Sequence, residues 1–259
     1  KNILLITTKA QFPSLRPYIS ILEKRNIILE PEGKNTASAI CLAALTIEKR
    51  FGKGTMVVLP TDHIIKDSKK FFKNLKSAEK IVNKNSGLVT IGIKPKYSSI
   101  GYGYIKLGRK FHDYYSVKRF TEKPKKKKAE KFYKKKSYVW NSGIFVWKTE
   151  SILNSLKRHM PNVYYSLKDI ISYEGKKGYW LKLQIGYARF KPISIDFGVM
   201  EPVTKHRSQR IFCVKGHFDW IDIGSWSSLE EIYDKDRDGN INLSNSTFID
   251  VQNSTIIGE

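Results

Sequence analysis

The chain has 259 residues, and 47 Lys and Arg residues against 24 Asp and Glu residues give it a formal net charge of +23 at pH 7. Apolar residues make up 41% of the chain and recur along its whole length, which excludes a largely disordered protein. Cys41 and Cys213 are its only cysteines, which excludes a disulfide scaffold, and no apolar run approaches the roughly 18 residues of a membrane-spanning helix. We expect a protein of a reducing compartment, the cytoplasm, without a membrane partner.

Strand and helix patterns alternate over the first ninety residues. Strands are predicted at residues 3–7, 27–30, 55–60 and 88–93, and helices at 11–23, 36–50 and 68–83. Pro13 and Pro17 disturb the start of the first helix, because proline lacks the N–H that the helix interior needs. The alternation predicts an α/β fold with a Rossmann-like, mixed and mostly parallel sheet, covered on both faces by helices.

The second half of the chain has shorter β patterns. Strands are predicted at 101–106, 117–122, 143–147 and 210–214, and helices at 151–159 and 225–233. Residues 162–188 are weakly patterned and receive no assignment. The segments NSTFI (245–249) and NSTII (253–257) repeat each other, which suggests the first rungs of a β-solenoid. We therefore predict one domain over residues 1–238, and the start of a small β-helical or linker segment over 239–259.

The turn EPEGKNTA (30–37) joins a predicted strand to a predicted helix. The backbone N–H groups at a helix start can hold a phosphate or hydrogen-bond a base edge. An ordinary capped turn would show the same residues.

Carboxylates follow apolar runs at two places, Asp62 in PTDH and Asp222 in DWIDIG. Mg²⁺ is commonly bound by one or two carboxylates together with substrate phosphates, so the pair could hold this ion. Both aspartates could instead cap the segments that follow them. His63 alone is more typical of a packed side chain than of a metal ligand.

Polar residues interrupt the strands of the middle region. Glu122 and Asn141 are side chains that hydrogen-bond sugar hydroxyls, Lys123 suits a sugar phosphate, and Gly103 permits close backbone approach. Each signal is weak on its own.

Several motifs that mark well-defined sites are absent from the sequence. It has no GxGxxG, GxxxxGK[ST], HExxH or CxxC motif and no GxSxG elbow, and its histidines lack zinc spacing. The Lys-rich run 123–136 is typical of a solvated helix face, although a polyanion site would also be basic. A basic RNA-binding domain is an alternative with only the charge in its favour, since no RNA motif with stacking aromatics occurs; we expect no specific nucleic-acid partner.

Seven segments in order resemble the bacterial mannose-1-phosphate guanylyltransferases, or GDP-mannose pyrophosphorylases, of the sugar nucleotidyltransferase superfamily. They are EPEGKNTASAI (30–40), LPTDH (59–63), GYGYIK (101–106), FTEKP (120–124), WNSGIF (140–145), SIDFGVME (194–201) and DWIDIGSW (219–226). The resemblance extends from residue 1 to about residue 233 and implies the nucleotide-diphospho-sugar transferase fold.

The resemblance implies that GMP is transferred from GTP to mannose 1-phosphate, with Mg²⁺, giving GDP-mannose and pyrophosphate. It implies catalytic roles for Asp62, Asp222 and Lys123, with Asp62 and Asp222 holding the metal. The implied nucleotide contacts are Glu30, Asn35, Thr36, Ala37 and Asp62, and the implied sugar contacts are Gly103, Glu122, Lys123 and Asn141. No role follows for Asp196, and a homodimer is a further expectation.

The chain departs from the family pattern in one respect. The Gly-rich loop of the type GGxGTRLWPLS and the PKQ segment, which supply the family's catalytic Arg and Lys, are not in it. We expect the activity of the complete gene product and not of these residues alone. Alternatives are a nucleotidyltransferase using another NTP or sugar phosphate, and a non-catalytic or regulatory homologue.

Overall fold

A computed structural model describes residues 2–224 and 226–258, and it divides into two compact units. The first unit contains the residues up to Leu59 together with Lys73–Gly216, and the second contains Pro60–Phe72 together with the residues from His217 onward. The boundary predicted at residue 238 stays a prediction. Within the described residues, no helix is both long and apolar enough to cross a bilayer.

A six-stranded mixed sheet forms the centre of the first unit. In spatial order its strands are β3 (Thr55–Val58), β8 (Tyr138–Lys148), β5 (Gly87–Ile93), β9 (Arg210–Lys215), β7 (Tyr115–Thr121) and β6 (Tyr104–Lys110). β8 and β7 run against the other four strands, so β5 and β9 are the one parallel pair of neighbours among these strands. The mixed α/β class predicted from the alternating pattern is confirmed. β1 (Leu5–Thr8) and β2 (Ile27–Glu30) form a separate parallel pair.

Helices cover the sheet and supply much of its core. They are α2 (Thr36–Phe51), α5 (Thr149–His159), α6 (Pro161–Ser172) and α7 (Tyr179–Ala188), with α4 (Lys126–Tyr133) and α8 (Glu201–His206) at the margins. α2 is rich in alanine and leucine, begins at the capping side chain of Asn35 and ends at Gly52, whose φ of 80° suits glycine. Leu42 and Ala44 of this helix are completely buried.

One predicted helix is wrong, and two helices were not predicted. The helix predicted over 11–23 is wrong: the chain forms only α1 (Phe12–Leu15) and a 3₁₀ turn at Arg16–Tyr18. Pro13 and Pro17 each sit at the start of one of these short pieces, where proline is tolerated, and neither piece continues. The unassigned segment 162–188 contains most of α6 and all of α7.

The second unit contains two small strand pairs. β4 (His63–Ile65) pairs antiparallel with β10 (Trp220–Asp222), and β11 (Ile241–Leu243) pairs parallel with β12 (Thr255–Ile257). The parallel pair is spaced Ile241 to Thr255, so the repeating unit is longer than the sequence echo suggested, and residues 245–249 form no strand. α3 (Ser68–Lys84) begins in this unit.

The helix predicted over 225–233 is a 3₁₀ helix at Trp226–Glu231. Ser225, where it was predicted to begin, lies outside the described residues.

Candidate active site

The ends of three strands in the first unit bring Gly103, Glu122 and Asn141 together. Tyr104 pairs with Thr121 on one side and with Trp140 on the other. Because both pairs are antiparallel, the neighbouring Gly103 lies opposite Glu122 on one side and opposite Asn141 on the other. The backbone N–H of Asn141 donates to the carbonyl oxygen of Gly103 at 2.8 Å. Sheet register therefore assembles three predicted sugar contacts that are up to 38 residues apart in the chain.

Glu122 is held tightly over Gly103. A Cβ added to Gly103 would lie 2.2 Å from Oε2 of Glu122 and 3.4 Å from Cβ of Asn141, so only glycine leaves room for this carboxyl group. Oε2 of Glu122 is buried and has no hydrogen-bond partner among the described residues. A buried, unpaired carboxyl oxygen is costly unless a ligand pairs with it, and a sugar hydroxyl is such a group.

Two further acids surround Glu122, and sequence reasoning had given neither of them a role. Asp196 begins a π-helical turn, Asp196–Met200, that leads into α8, and Glu201 begins α8 itself. Oε1 of Glu201 accepts a hydrogen bond from the backbone N–H of Glu122 at 2.7 Å, and Oδ1 of Asp196 accepts one from Nδ2 of Asn141 at 2.9 Å. π-turns within helices are frequent at functional sites. The motif SIDFGVME was the available signal, but its contacts are tertiary.

Burial controls the ionisation of this cluster. It raises the pKa of Glu122 to about 8, with Asp196 and then Glu201 adding repulsion and Lys123 acting in the opposite direction. Burial also raises the pKa of Asp196 to about 6. Crowded carboxyl groups with raised pKa values are typical of binding and catalytic sites.

Lys123 occupies an unusual backbone conformation beside these acids. Its φ is 38°, which non-glycine residues seldom adopt, and it precedes Pro124, which restricts it further. The ammonium group lowers the pKa of both Glu122 and Asp196, so it lies within electrostatic reach of both. The strained conformation thus places a cation at the rim of the predicted sugar site.

The predicted nucleotide turn is bound to another segment of the first unit. Oδ1 of Asn35 caps α2 by accepting from the N–H of Thr36 at 2.8 Å, and Asn35 itself has a φ of 64°. The Thr36 hydroxyl accepts from the N–H of Ile195 at 2.9 Å, and the N–H of Ala37 donates to the carbonyl of Ile193 at 3.2 Å. These contacts fix the turn directly next to the segment that carries Asp196.

Glu30, one of the predicted nucleotide contacts, is engaged with a side chain of the core. Its side chain is buried, and Oε1 accepts a hydrogen bond from the hydroxyl of Tyr187 at 2.9 Å. Burial raises the pKa of Glu30 to about 7, and the Tyr187 contact lowers it in part. This environment gives Glu30 a packing role, and its contact with a nucleotide stays a prediction.

A group of possible metal ligands lies in the second unit. Carboxylate oxygens of Asp62 and Asp222 and a nitrogen of His63 lie within 4.8 Å of one another. The β4–β10 register sets Asp222 opposite His63, and the N–H of Ile223 donates to the carbonyl of Asp62 at 2.9 Å. The spacing fits two carboxylate ligands of one divalent cation, which would retain water in its other positions.

The hydrogen bonding of His63 disfavours it as a third ligand. Nε1 of Trp220 donates to Nδ1 of His63 at 3.2 Å, so in the neutral ring the proton is on Nε2 and neither nitrogen offers a lone pair. Burial lowers the pKa of His63, which keeps the ring neutral, and Asp62 opposes this in part. The donor set is therefore purely oxygen, as a hard cation prefers.

Comparison with known proteins identifies the family of the chain. A model of the nucleotidyl transferase family matches residues 1–239. A mannose-1-phosphate guanylyltransferase of Escherichia coli is 35% identical over 242 residues, which is 90% of this chain and 51% of that protein. The mannose-1-phosphate guanylyltransferase RfbM of Salmonella typhimurium is 36% identical over 220 residues, which is 83% of this chain and 45% of that protein. The chain spans about half the length of the curated relatives it matches.

Solved structures share the fold. A Thermus thermophilus protein described as a mannose-1-phosphate geranyltransferase superposes with a TM-score of 0.78 at 30% identity, covering 92% of this chain and 66% of that one. A Helicobacter pylori protein described as a mannose-6-phosphate isomerase superposes with a TM-score of 0.68 at 26% identity, covering 85% and 84%. Because the family model matches nearly the whole of this chain, the chain belongs to the nucleotidyl transferase family.

Proposed function

We propose that the protein containing these residues transfers GMP from GTP to mannose 1-phosphate, giving GDP-mannose and pyrophosphate. The observation that carries the proposal is the buried Oε2 of Glu122, unpaired within the described part of the chain and packed against Gly103. A sugar hydroxyl satisfies this oxygen. The relatives named mannose-1-phosphate guanylyltransferase supply the identity of the sugar and the nucleotide.

The residues of the first unit bind and orient the sugar phosphate. Glu122 and Asn141 would hydrogen-bond the sugar hydroxyls, Gly103 would let the ring approach the backbone, and Lys123 would pair with the phosphate. The amide of Asn141 is fixed on both sides, because its oxygen accepts from Thr90 and its nitrogen donates to Asp196. A preorganised contact of this kind reduces the entropic cost of positioning the nucleophile.

The transfer itself exchanges one phosphorus–oxygen bond for another. A phosphate oxygen of the sugar phosphate attacks the α-phosphorus of GTP, and the bond from that phosphorus to the oxygen bridging to the β-phosphate breaks. Pyrophosphate leaves with that bonding electron pair, and the phosphate nucleophile needs no general base. The task left to the protein is alignment and compensation of negative charge.

Asp62 and Asp222 of the second unit would hold Mg²⁺. This ion supplies charge neutralisation at phosphate oxygens when bound. Asp62, Asp222 and Lys123 would then be the catalytic residues contributed by this chain.

The turn 35–37 would contact guanine. This role is supported by the hydrogen bonds that fix the turn to residues 193–195. They hold the other hydrogen-bonding groups of the turn in one arrangement. A cytoplasmic location and a homodimer complete the proposal.

Binding of mannose 1-phosphate to the full-length protein tests the proposal. Glu122→Gln removes the charge from the proposed hydroxyl acceptor, and hydrogen bonds to charged acceptors are about twice as strong as neutral ones. We expect calorimetry at pH 8.5 to show at least about tenfold weaker sugar-phosphate binding and unchanged GTP binding. The matched control is Glu79→Gln, an exposed residue on α3. Equal loss for both ligands, or no loss, would refute the sugar-binding role.

A further inference from the structure

A second concave site lies in the first unit, away from the cluster around Glu122. It is a pocket of about 1050 Å³ beside β6, β7, β9 and the end of α8. Val203, Ile211 and Phe212 are among its lining residues but are almost completely buried. Phe111 and Val117 are half-buried and leave apolar surface accessible in it. A volume near 1000 Å³ is at the upper end of ordinary small-molecule sites, and far larger than one phosphate needs.

The charged side chains that line this pocket are all positive. Arg109, Lys118, Arg207 and Arg210 are exposed there, and none of the described lining residues is acidic. Across the described chain, none of these four side chains forms an ion pair with a carboxylate. Like charges gathered around an apolar concavity repel each other and concentrate positive potential there, which a multivalent anion relieves.

The choice of arginine separates this pocket from the general lysine excess. The chain has only ten arginines among its 47 basic residues, yet three of the four cations at the pocket are arginine. The planar guanidinium group binds phosphate oxygens with two parallel hydrogen bonds, which the ammonium group of lysine cannot do.

One further cation, Arg158, lies close to the pocket. Ser208, a lining residue, is hydrogen-bonded to Nε2 of His159 at 2.9 Å, and its carbonyl accepts from Arg158 at 3.2 Å. The pKa of His159 is lowered by burial and further by His206 and Arg158. The lowered pKa keeps His159 neutral, so Arg158 is the residue of this group that adds positive charge beside the pocket.

The pocket is separate from the predicted sugar site. Both use β7, but Ser116, Val117 and Lys118 lie in its first half, whereas Glu122 follows its last residue. At roughly 3.3 Å per residue, Lys118 is about 13 Å from Glu122 along the strand.

We propose that this pocket binds a nucleotide carrying two or more phosphates, as a site distinct from the reaction centre. The phosphates contact the arginines and Lys118, and the base lies against the half-buried side chains of Phe111 and Val117. The hydroxyl of Thr204 is already engaged, since it donates to the carbonyl of Glu201 and accepts from the N–H of Phe120. Ser116, Ser208 and Gln209 also line the pocket, and each is engaged in a hydrogen bond within the protein, so we expect ADP and GDP to bind alike.

Equilibrium dialysis of the full-length protein with ADP and with GDP tests this site. The test variant is the double substitution Lys118→Gln/Arg210→Gln, with Arg210→Gln alone as a milder form. The matched control is Lys125→Gln/Lys127→Gln, which removes the same charge from exposed positions at the start of α4. Thermal unfolding of each protein reports its folding.

We expect the double variant to bind ADP at least tenfold more weakly than the wild type, with the single variant intermediate and the control unchanged. We also expect inorganic tripolyphosphate to bind more weakly than ADP, because it makes no contact with the apolar lining. Equal ADP binding by the double variant and the control would overturn the site. Tripolyphosphate binding as tightly as ADP would overturn its assignment to a nucleotide.

Discussion

Nδ2 of Asn141 donates a hydrogen bond to Oδ1 of Asp196 at 2.9 Å, across 55 residues of sequence. Oδ1 of the same amide accepts from the hydroxyl of Thr90 at 3.0 Å. The two contacts fix the orientation of the Asn141 side-chain amide, with Oδ1 toward Thr90 and Nδ2 toward Asp196. Asp196 is therefore a positioning residue, since it orients a group proposed to touch the sugar.

Asp196→Ala should weaken the use of mannose 1-phosphate, because Asn141 loses the acceptor that orients it. We expect KM for the sugar phosphate to rise about tenfold, the equivalent of one hydrogen bond of about 1.4 kcal/mol, with KM for GTP nearly unchanged. Asp196→Asn keeps an acceptor oxygen and should recover most of the loss. Equal kinetics for the alanine and asparagine variants would contradict the positioning role.

Gly103→Ala should displace the Glu122 carboxyl group, because the added Cβ would lie 2.2 Å from Oε2. We expect steady-state kinetics to show a tenfold or greater loss of kcat/KM for mannose 1-phosphate, about 1.4 kcal/mol or more. Gly101→Ala is the control, since its Cβ would meet only Ser99 Oγ, at 3.6 Å. If both alanine variants behaved alike, the close approach at Gly103 would have no functional consequence.

Glu122→Gln should gain stability relative to the wild type as the pH rises. The pKa of Glu122 is raised from 4.5 to about 8, so between these values the folded state holds a proton that the unfolded state releases. The free energy of unfolding therefore falls as the pH rises through this window. The stability of Glu122→Gln relative to wild type should increase from pH 5 to pH 8, by less than about 1.4 kcal/mol per pH unit.

Urea titrations at pH 5, 6, 7 and 8 check this pH dependence, with Glu79→Gln as the exposed control. A stability difference that is constant with pH would show that Glu122 is ionised normally in the fold.

Tyr187→Phe should lower stability without changing nucleotide use. The hydroxyl of Tyr187 is the donor that Glu30 has inside the core, and removing it leaves a buried carboxyl oxygen unpaired. We expect a loss of about 1–3 kcal/mol in the free energy of unfolding, measured by urea titration, and an unchanged KM for GTP. A raised KM for GTP at unchanged stability would return Glu30 to the nucleotide site.

The regular elements were predictable wherever one local pattern dominated. α2 followed from an alanine- and leucine-rich run with Asn35 before it, and β5 from the apolar run 88–93. The helix predicted over 11–23 failed because two prolines break it into short pieces. The helices within 162–188 were not recognised, although Pro161 begins α6 and Gly178, at a φ of 89°, precedes α7.

The sequence allowed the residues of the candidate site to be identified, but not the contacts between them. Glu122 and Asn141 were identified from their chemistry and from the resemblance, and Gly103 from its lack of a side chain. The partners Asp196, Glu201 and Thr90 come from distant strands and turns, so no local pattern signals them. The Glu30–Tyr187 contact spans 157 residues and changes the interpretation of a residue inside a recognised motif.

Pyrophosphate release by the full-length protein measures the proposed transfer itself. The assay pairs GTP, ATP, UTP or dTTP with mannose 1-phosphate or glucose 1-phosphate in the presence of Mg²⁺, with Asp222→Asn alongside. We expect strong release only with GTP and mannose 1-phosphate, and a loss of several orders of magnitude in the folded variant. Comparable release with another pair, or none with any pair, would contradict the proposal, and the latter result would identify a non-catalytic homologue.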